Sequence, residues 1–120
     1  MSDQNDVILS VVQSFYDKAR NDILIGYHFR NIADFDEHIP RIAQFWEIQL
    51  LGNSAKKVDP PFDVVKAHVP LGIKRGELGR WLLLFKKTLD EKETELGDLK
   101  SLWLDRLVFF ERVFIKFLGF

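Results

Sequence analysis

The chain has no cysteine among its 120 residues, which excludes disulfides, thiolate-bound metals and cysteine nucleophiles. It also has no long apolar run. The longest uninterrupted one is Trp81 to Phe85, far short of the roughly 20 residues that a helix needs to cross a bilayer. We therefore expect a protein without a membrane span.

Positive and negative charges are nearly balanced, since the formal net charge is −1. There is no basic arm, so neither nucleic acid nor an anionic lipid surface is expected as a partner. Residues 1–6 are polar and acidic and do not resemble a signal peptide. We expect a cytoplasmic protein with a flexible N-terminus at Met1–Asp6 and a single domain over residues 1–120.

Phenylalanine is abundant, with eleven residues in the chain. Apolar residues make up 47% of the sequence and charged residues 29%, a composition typical of an ordered globular protein. Because aromatic side chains are large and stiff, this content predicts a dense core, an apolar pocket or a surface that binds a partner.

Apolar residues recur every three or four positions along the chain, which predicts helices. Asp34 or Asp36 is expected to cap the second helix, with Pro40 in its first turn or just beyond and Gly52 at its end. No segment has the alternation of a strand, so the predicted class is all-α. The predicted helices cover Val7–Arg20, a second one ending before Gly52, a short one between Pro60 and Val69, and longer ones over about 74–92 and 94–118.

The sequence contains three histidines, and His68 is the most informative of them. It lies with Phe62 and Val65 on one side of the short predicted helix, two residues before Pro70. Such an imidazole can be a core histidine bonded to a backbone carbonyl, or an axial ligand of haem iron. The spacing alone leaves both interpretations open.

Four further side chains could take part in chemistry. His38 heads the apolar stripe of the second helix, at the surface or over a pocket, and His28 is expected to face solvent. Tyr16 and Trp81 carry polar tips within apolar stripes, where they bond either to the backbone or to a ligand in a shared cavity. A zinc site is not expected, because no two histidines share a helix turn.

The order of these features resembles the truncated globins, most closely their third group, from Phe15 to about Glu91. The similarity is carried by FYDKAR from Phe15, GYHF from Gly26, HIPRIAQFWEIQLLG from His38, PPFDVVKAHVPLGI from Pro60 and LGRWLLLFKKTLDE from Leu78. These segments are similar to the family motifs FYxKVR, GPIF, HxxxIxxFWxxxLLG, PFxxHxxL and FxxWLxLFxxTxDE.

The resemblance implies a truncated globin-like helical sandwich that encloses one haem b, with His68 as the iron ligand. It implies Tyr16, His38 and Trp81 as the groups that stabilise the ligand on the distal side. Arg41, one turn after His38, is our candidate cation for the haem propionates. The other expected haem contacts are Phe29, Ile42, Phe45, Trp46, Phe62 and Val65.

The expected function is reversible binding of O2, NO or CO, suited to NO/O2 or peroxide redox chemistry rather than to bulk O2 transport. NO dioxygenase or peroxidase-like activity would need an external reductase, since the chain has no flavin or nicotinamide motif. Two alternatives remain open at this point, a haem-based gas sensor and a haem-free helical module that binds a partner.

The last predicted helix carries a broad apolar face. We expect this face to be core in a monomer, with a dimer seam or membrane contact as the alternatives. Phe109 and Phe120 do not belong to this face. The face consists of Trp103, Leu107, Phe110, Val113, Phe114 and Phe117.

Overall fold

The computed structural model describes residues 4–29, 34–52 and 72–118, without the side chain of Leu118. Most of these residues are helical and none is in a strand, which confirms the predicted all-α class. No helix in the three described stretches combines the length and apolarity needed to cross a membrane. The elements are α1 (Gln4–Arg20), a 3₁₀ turn (Gly26–Phe29), α2 (Phe35–Leu51), α3 (Arg75–Glu91), α4 (Glu93–Leu96) and α5 (Leu99–Leu118).

The ends of α2 follow local side-chain chemistry. The Asp34 carboxylate accepts a hydrogen bond from the backbone N–H of Glu37 at 3.2 Å, which satisfies one of the free donors of the first turn. Pro40 is the sixth residue of the helix, just beyond that turn. The helix ends at Gly52, whose φ of 65° is a conformation that glycine adopts without strain. The sequence predicted all three features.

Two boundaries differ from those predicted. Helix α1 begins at Gln4 rather than Val7, so residues 4–6 are helical. The single helix predicted over 94–118 is two helices, because Gly97 takes a φ of 54° and ends α4. Helix α5 then begins at Leu99. The short helix predicted between Pro60 and Val69 lies outside the described residues.

The four long helices pack in a closed ring. Helix α1 contacts α2 and α3, and α5 contacts the same two helices. Each helix contributes one buried aromatic ring to the centre: Phe15, Trp46, Phe85 and Trp103. The centroid of Phe85 lies 4.6 Å from that of Phe15 and 5.5 Å from those of Trp46 and Trp103. We call these four rings the aromatic core, and they join all four helices.

The apolar face of α5 is core along its first half. Trp103, Leu107 and Phe110 are buried, as expected from their spacing. Phe114 is half-buried, and Phe117 is 61% exposed. The burial of this face therefore decreases towards the end of the helix.

Two leucines of α3 provide a matched test of the core. Leu89 is fully buried, whereas Leu83 is 56% exposed. Leu89→Ala should lower the free energy of unfolding by about 2–5 kcal/mol, since it removes buried apolar surface and leaves a cavity. Leu83→Ala should change it by about 0.5 kcal/mol or less. Urea denaturation measures both values, and equal losses would contradict the packing described.

Candidate functional site

A cavity lies inside the ring of helices and is lined from all four of them. Its volume is about 80 Å³, several times the roughly 10–15 Å³ that one water needs. Its lining is mainly apolar, and the lining residues that carry polar groups are Tyr16, Trp81 and Glu111. The lining residues are Val12, Phe15, Tyr16, Ile42, Phe45, Trp46, Leu78, Trp81, Leu82, Phe85, Leu107, Phe110, Glu111 and Phe114.

Tyr16 is one of the residues that line this cavity. The side chain is buried, and burial raises the pKa of the phenol well above its ordinary value of 10.0. The phenol therefore keeps its proton at neutral pH and can donate a hydrogen bond. Its oxygen lies 3.3 Å from Nε2 of His38, and the two rings meet nearly at right angles, at 88°.

Trp81 and Tyr16 are connected by two phenylalanines, each of which contacts both rings. The indole of Trp81 stacks on Phe15 with a centroid distance of 6.0 Å. Phe29 lies between the two polar aromatics, 5.5 Å from the ring of Tyr16 and 5.6 Å from that of Trp81. Tyr16 and Trp81, both in the cavity wall, therefore belong to one continuous group of aromatic rings.

Phe29 is held in place by the turn that precedes it. Gly26 lies so close to the end of α1 that a Cβ there would be 2.9 Å from the carbonyl oxygen of Arg20. Arg80 of α3 donates two hydrogen bonds to one carboxylate oxygen of Asp22, at 2.7 and 2.9 Å. This guanidinium lowers the pKa of Asp22. The turn is thereby tied to α3, the helix that carries Trp81.

A second contact between the turn and α3 involves His28, whose predicted position was wrong. The imidazole was expected to face solvent, but His28 is buried. Its Nε2 lies 3.2 Å from a carboxylate oxygen of Glu77, and the hydroxyl of Tyr27 donates to the same oxygen. The other oxygen of Glu77 accepts from the backbone N–H of Lys74 at 2.9 Å. These contacts join the turn to the first residues of α3, and His28 has a structural role there.

The structure brings five of the predicted site residues to the cavity wall and places three others around it. His38 contacts Tyr16 without lining the cavity, Phe29 packs behind Tyr16 and Trp81, and Arg41 is half-buried on α2. Phe62, Val65 and His68 lie outside the described residues, so their roles stay predictions. The five on the wall are Tyr16, Ile42, Phe45, Trp46 and Trp81.

The contribution of α5 to the cavity was not predicted. Leu107, Phe110 and Phe114 line it from this helix, and Glu111 adds a half-buried carboxylate. Their spacing of three and four residues predicts a buried face, but it does not distinguish core from cavity wall. The available signal was Glu111, a charged residue beside an otherwise apolar stripe.

The three described stretches contain no group of three or more histidine, aspartate or glutamate side chains that could hold a metal ion. Comparison with known proteins adds no assignment. No family model matches the chain, and no similarity was found to a curated protein or to a solved structure. The cavity, with Tyr16 and Trp81 in its wall, is therefore the candidate functional site.

The raised pKa of Tyr16 leads to a prediction for alkaline pH. Tyr27→Phe leaves Tyr16 as the only tyrosine. In the unfolded chain this phenol should ionise near pH 10, as about 10 is its ordinary pKa. The folded protein should hold the proton to higher pH, so its stability should fall as pH rises through that region, because only the unfolded state releases the proton.

Ultraviolet absorbance of phenolate measures this titration, with the urea-unfolded variant as the control. A phenolate signal that rises near pH 10 while circular dichroism still reports folded protein would show that the hydroxyl is exposed.

Proposed function

We propose that this chain binds one haem b in the cavity and reversibly binds a diatomic gas there, as a truncated globin of the third group does. The observation that supports this most directly is an apolar, aromatic-lined cavity whose wall includes Tyr16, a buried residue with a neutral phenol. His68, from the predicted helix between Pro60 and Val69, is the proposed iron ligand.

The chemistry of the cavity lining supports this proposal. A porphyrin is a flat apolar plate, and the cavity offers it rings from α2, α3 and α5. A porphyrin needs more room than the cavity's 80 Å³, so it would have to extend beyond the cavity towards solvent. Ile42, Leu82 and Phe114 line the cavity and are only half-buried, so we propose that the extension passes these three side chains. Arg41 is the proposed cation for the propionates.

If bound, haem would supply the iron that takes up O2, NO or CO. Tyr16 then acts as the hydrogen-bond donor to the gas ligand. Its burial makes the hydrogen bond stronger than it would be in water, and the raised pKa keeps the donor protonated. A donor directed at developing negative charge stabilises that charge without reorganising solvent.

His38 and Trp81 complete the distal group in this proposal. The contact between His38 Nε2 and the Tyr16 oxygen orients the phenol, so His38 is a positioning residue that acts through Tyr16. The indole N–H of Trp81 is the second donor to the ligand. Phe15 and Phe29 hold the indole and the phenol side by side, which allows both to reach one ligand.

Strong retention of O2 suits NO/O2 or peroxide redox chemistry better than O2 delivery. Two donors slow the escape of a bound ligand, and affinity differences among related sites arise mainly from dissociation rates. Repeated turnover would need an external reductase to return the iron to its ferrous state.

Haem binding is tested by the Soret absorbance of protein purified with haemin. His68→Ala should lose the spectrum of a histidine-bound iron, and added imidazole should restore it by taking the place of the missing side chain. His28→Gln is the control, because His28 lies against Glu77 and does not line the cavity. Wild-type protein that stays colourless would instead favour a haem-free helical module.

The role of Tyr16 is tested by O2 release. Tyr16→Phe removes one hydrogen bond of about 1–2 kcal/mol, so the O2 dissociation rate should rise roughly tenfold, since about 1.4 kcal/mol corresponds to a factor of ten. Tyr27→Phe removes the only other tyrosine hydroxyl and should leave the rate unchanged. Stopped-flow displacement of O2 by CO measures both. Equal rates in wild type and Tyr16→Phe would remove the proposed donor.

A further inference from the structure

Helix α5 has a second face, opposite the one that packs on α2 and α3. Leu102 is 40% exposed, Val108 42% and Phe109 47%, although all three are large apolar residues. Charged side chains alternate with them along the helix. We call this surface the outer face of α5, formed by the exposed residues Leu102, Asp105, Val108, Phe109, Arg112 and Lys116.

Phe109 is fixed on this face by its neighbours. The guanidinium of Arg106 lies 4.4 Å from the centre of its ring, and Arg106 itself donates to the side-chain oxygen of Gln49 at 2.7 Å. The ring of Phe110 meets that of Phe109 edge-on, with centroids 5.2 Å apart. An apolar ring that is already ordered loses little conformational entropy when a partner covers it.

Two of the charged residues on the outer face, Asp105 and Arg112, lie at equal distances on either side of its centre and have opposite charges. Asp105 and Arg112 are seven residues apart, so they lie on the same side of the helix. The midpoint between them falls between Val108 and Phe109. Rotating the helix by half a turn about an axis through this midpoint exchanges Asp105 with Arg112 and Val108 with Phe109. The surface is therefore complementary to its own copy.

We propose that the outer face of α5 binds a second copy of this chain, with the two α5 helices antiparallel about that twofold axis. Asp105 of each copy then faces Arg112 of the other, and Val108 of each copy packs on Phe109 of the other. An isologous contact of this kind closes into a dimer. A parallel pairing would place Asp105 opposite Asp105 and is disfavoured by charge. This inference does not depend on haem binding.

Two helices of 20 residues share only a small contact area. Interfaces that bury less than about 1,200 Å² in total are usually weak and transient. We therefore expect a reversible dimer that forms at high protein concentration. Sedimentation equilibrium over about 10 µM to 1 mM covers the range of such weak complexes. The wild-type chain should pass from monomer to dimer within it.

Charge reversal tests both the surface and the orientation. Asp105→Arg and Arg112→Asp should each turn two attractive pairs per dimer into two repulsive ones, which raises the dissociation constant roughly tenfold or more. An equimolar mixture of the two variants should form a heterodimer with wild-type affinity, because both of its pairs are again of opposite charge. The double variant should recover the homodimer for the same reason.

Asp17→Arg, a reversal at an exposed site on α1, is the matched control and should dimerise as wild type does. Circular dichroism checks that each variant is folded. The proposal is overturned if the wild-type chain stays monomeric at about 1 mM, a concentration at which even weak specific contacts form. It is also overturned if the single reversals dimerise as well as wild type, or if their mixture stays monomeric.

Discussion

The contact among four buried rings, one from each long helix, is the constraint on which the rest of the molecule depends. Phe15, Trp46, Phe85 and Trp103 meet at centroid distances of 4.6 to 5.5 Å. Stiff rings packed at the density of a protein interior permit little rotation of any helix about its axis. The direction of every neighbouring side chain follows from this restriction.

The polar aromatics of the cavity are the clearest case. Tyr16 follows Phe15 directly, and a step of one residue turns its side chain by about 100° around α1, towards His38. Trp81 precedes Phe85 by one turn and so lies on the same side of α3. The aromatic core therefore places a phenol and an indole against one cavity although 65 residues separate them in the chain.

A hydroxyl in such surroundings is costly unless it has a partner. His38 supplies one at 3.3 Å, a length at the long end of the usual range. The phenol is thus held in direction. In the haem proposal His38 donates from Nε2 to the phenol oxygen, which leaves the phenol O–H for the ligand. In the haem proposal this explains why the site uses a neutral tyrosine rather than a charged group, which would require a counter-ion in the same apolar space.

Local signals allowed much of the fold to be predicted. The three-and-four spacing gave α1, α2 and α3, and the cap at Asp34 and the stop at Gly52 depend only on adjacent residues. The break at Gly97 was missed because apolar periodicity continues on both sides of it. The prediction that His28 faces solvent was wrong because its burial depends on Glu77. Glu77 is distant in sequence and contacts His28 only in the folded chain.

The candidate site was less predictable than the fold. Tyr16 and Trp81 could be identified as polar tips within apolar stripes, and both line the cavity. Periodicity could not show that α5 closes the same cavity, since Phe110 and Phe114 have the spacing of ordinary core residues. The twofold pattern of Asp105 and Arg112 is visible in the sequence, but only their exposure on one face of α5 gives it meaning.

The most direct test of the central claim is a titration of the purified apoprotein with haemin, followed by tryptophan fluorescence. Trp46 and Trp81 line the cavity and Trp103 packs against Trp46, so a haem bound there should quench all three by energy transfer. If haem binds in the cavity, the quenching should saturate sharply at one haemin per chain. Quenching that rises without saturation, or that needs several haemins per chain, would contradict it.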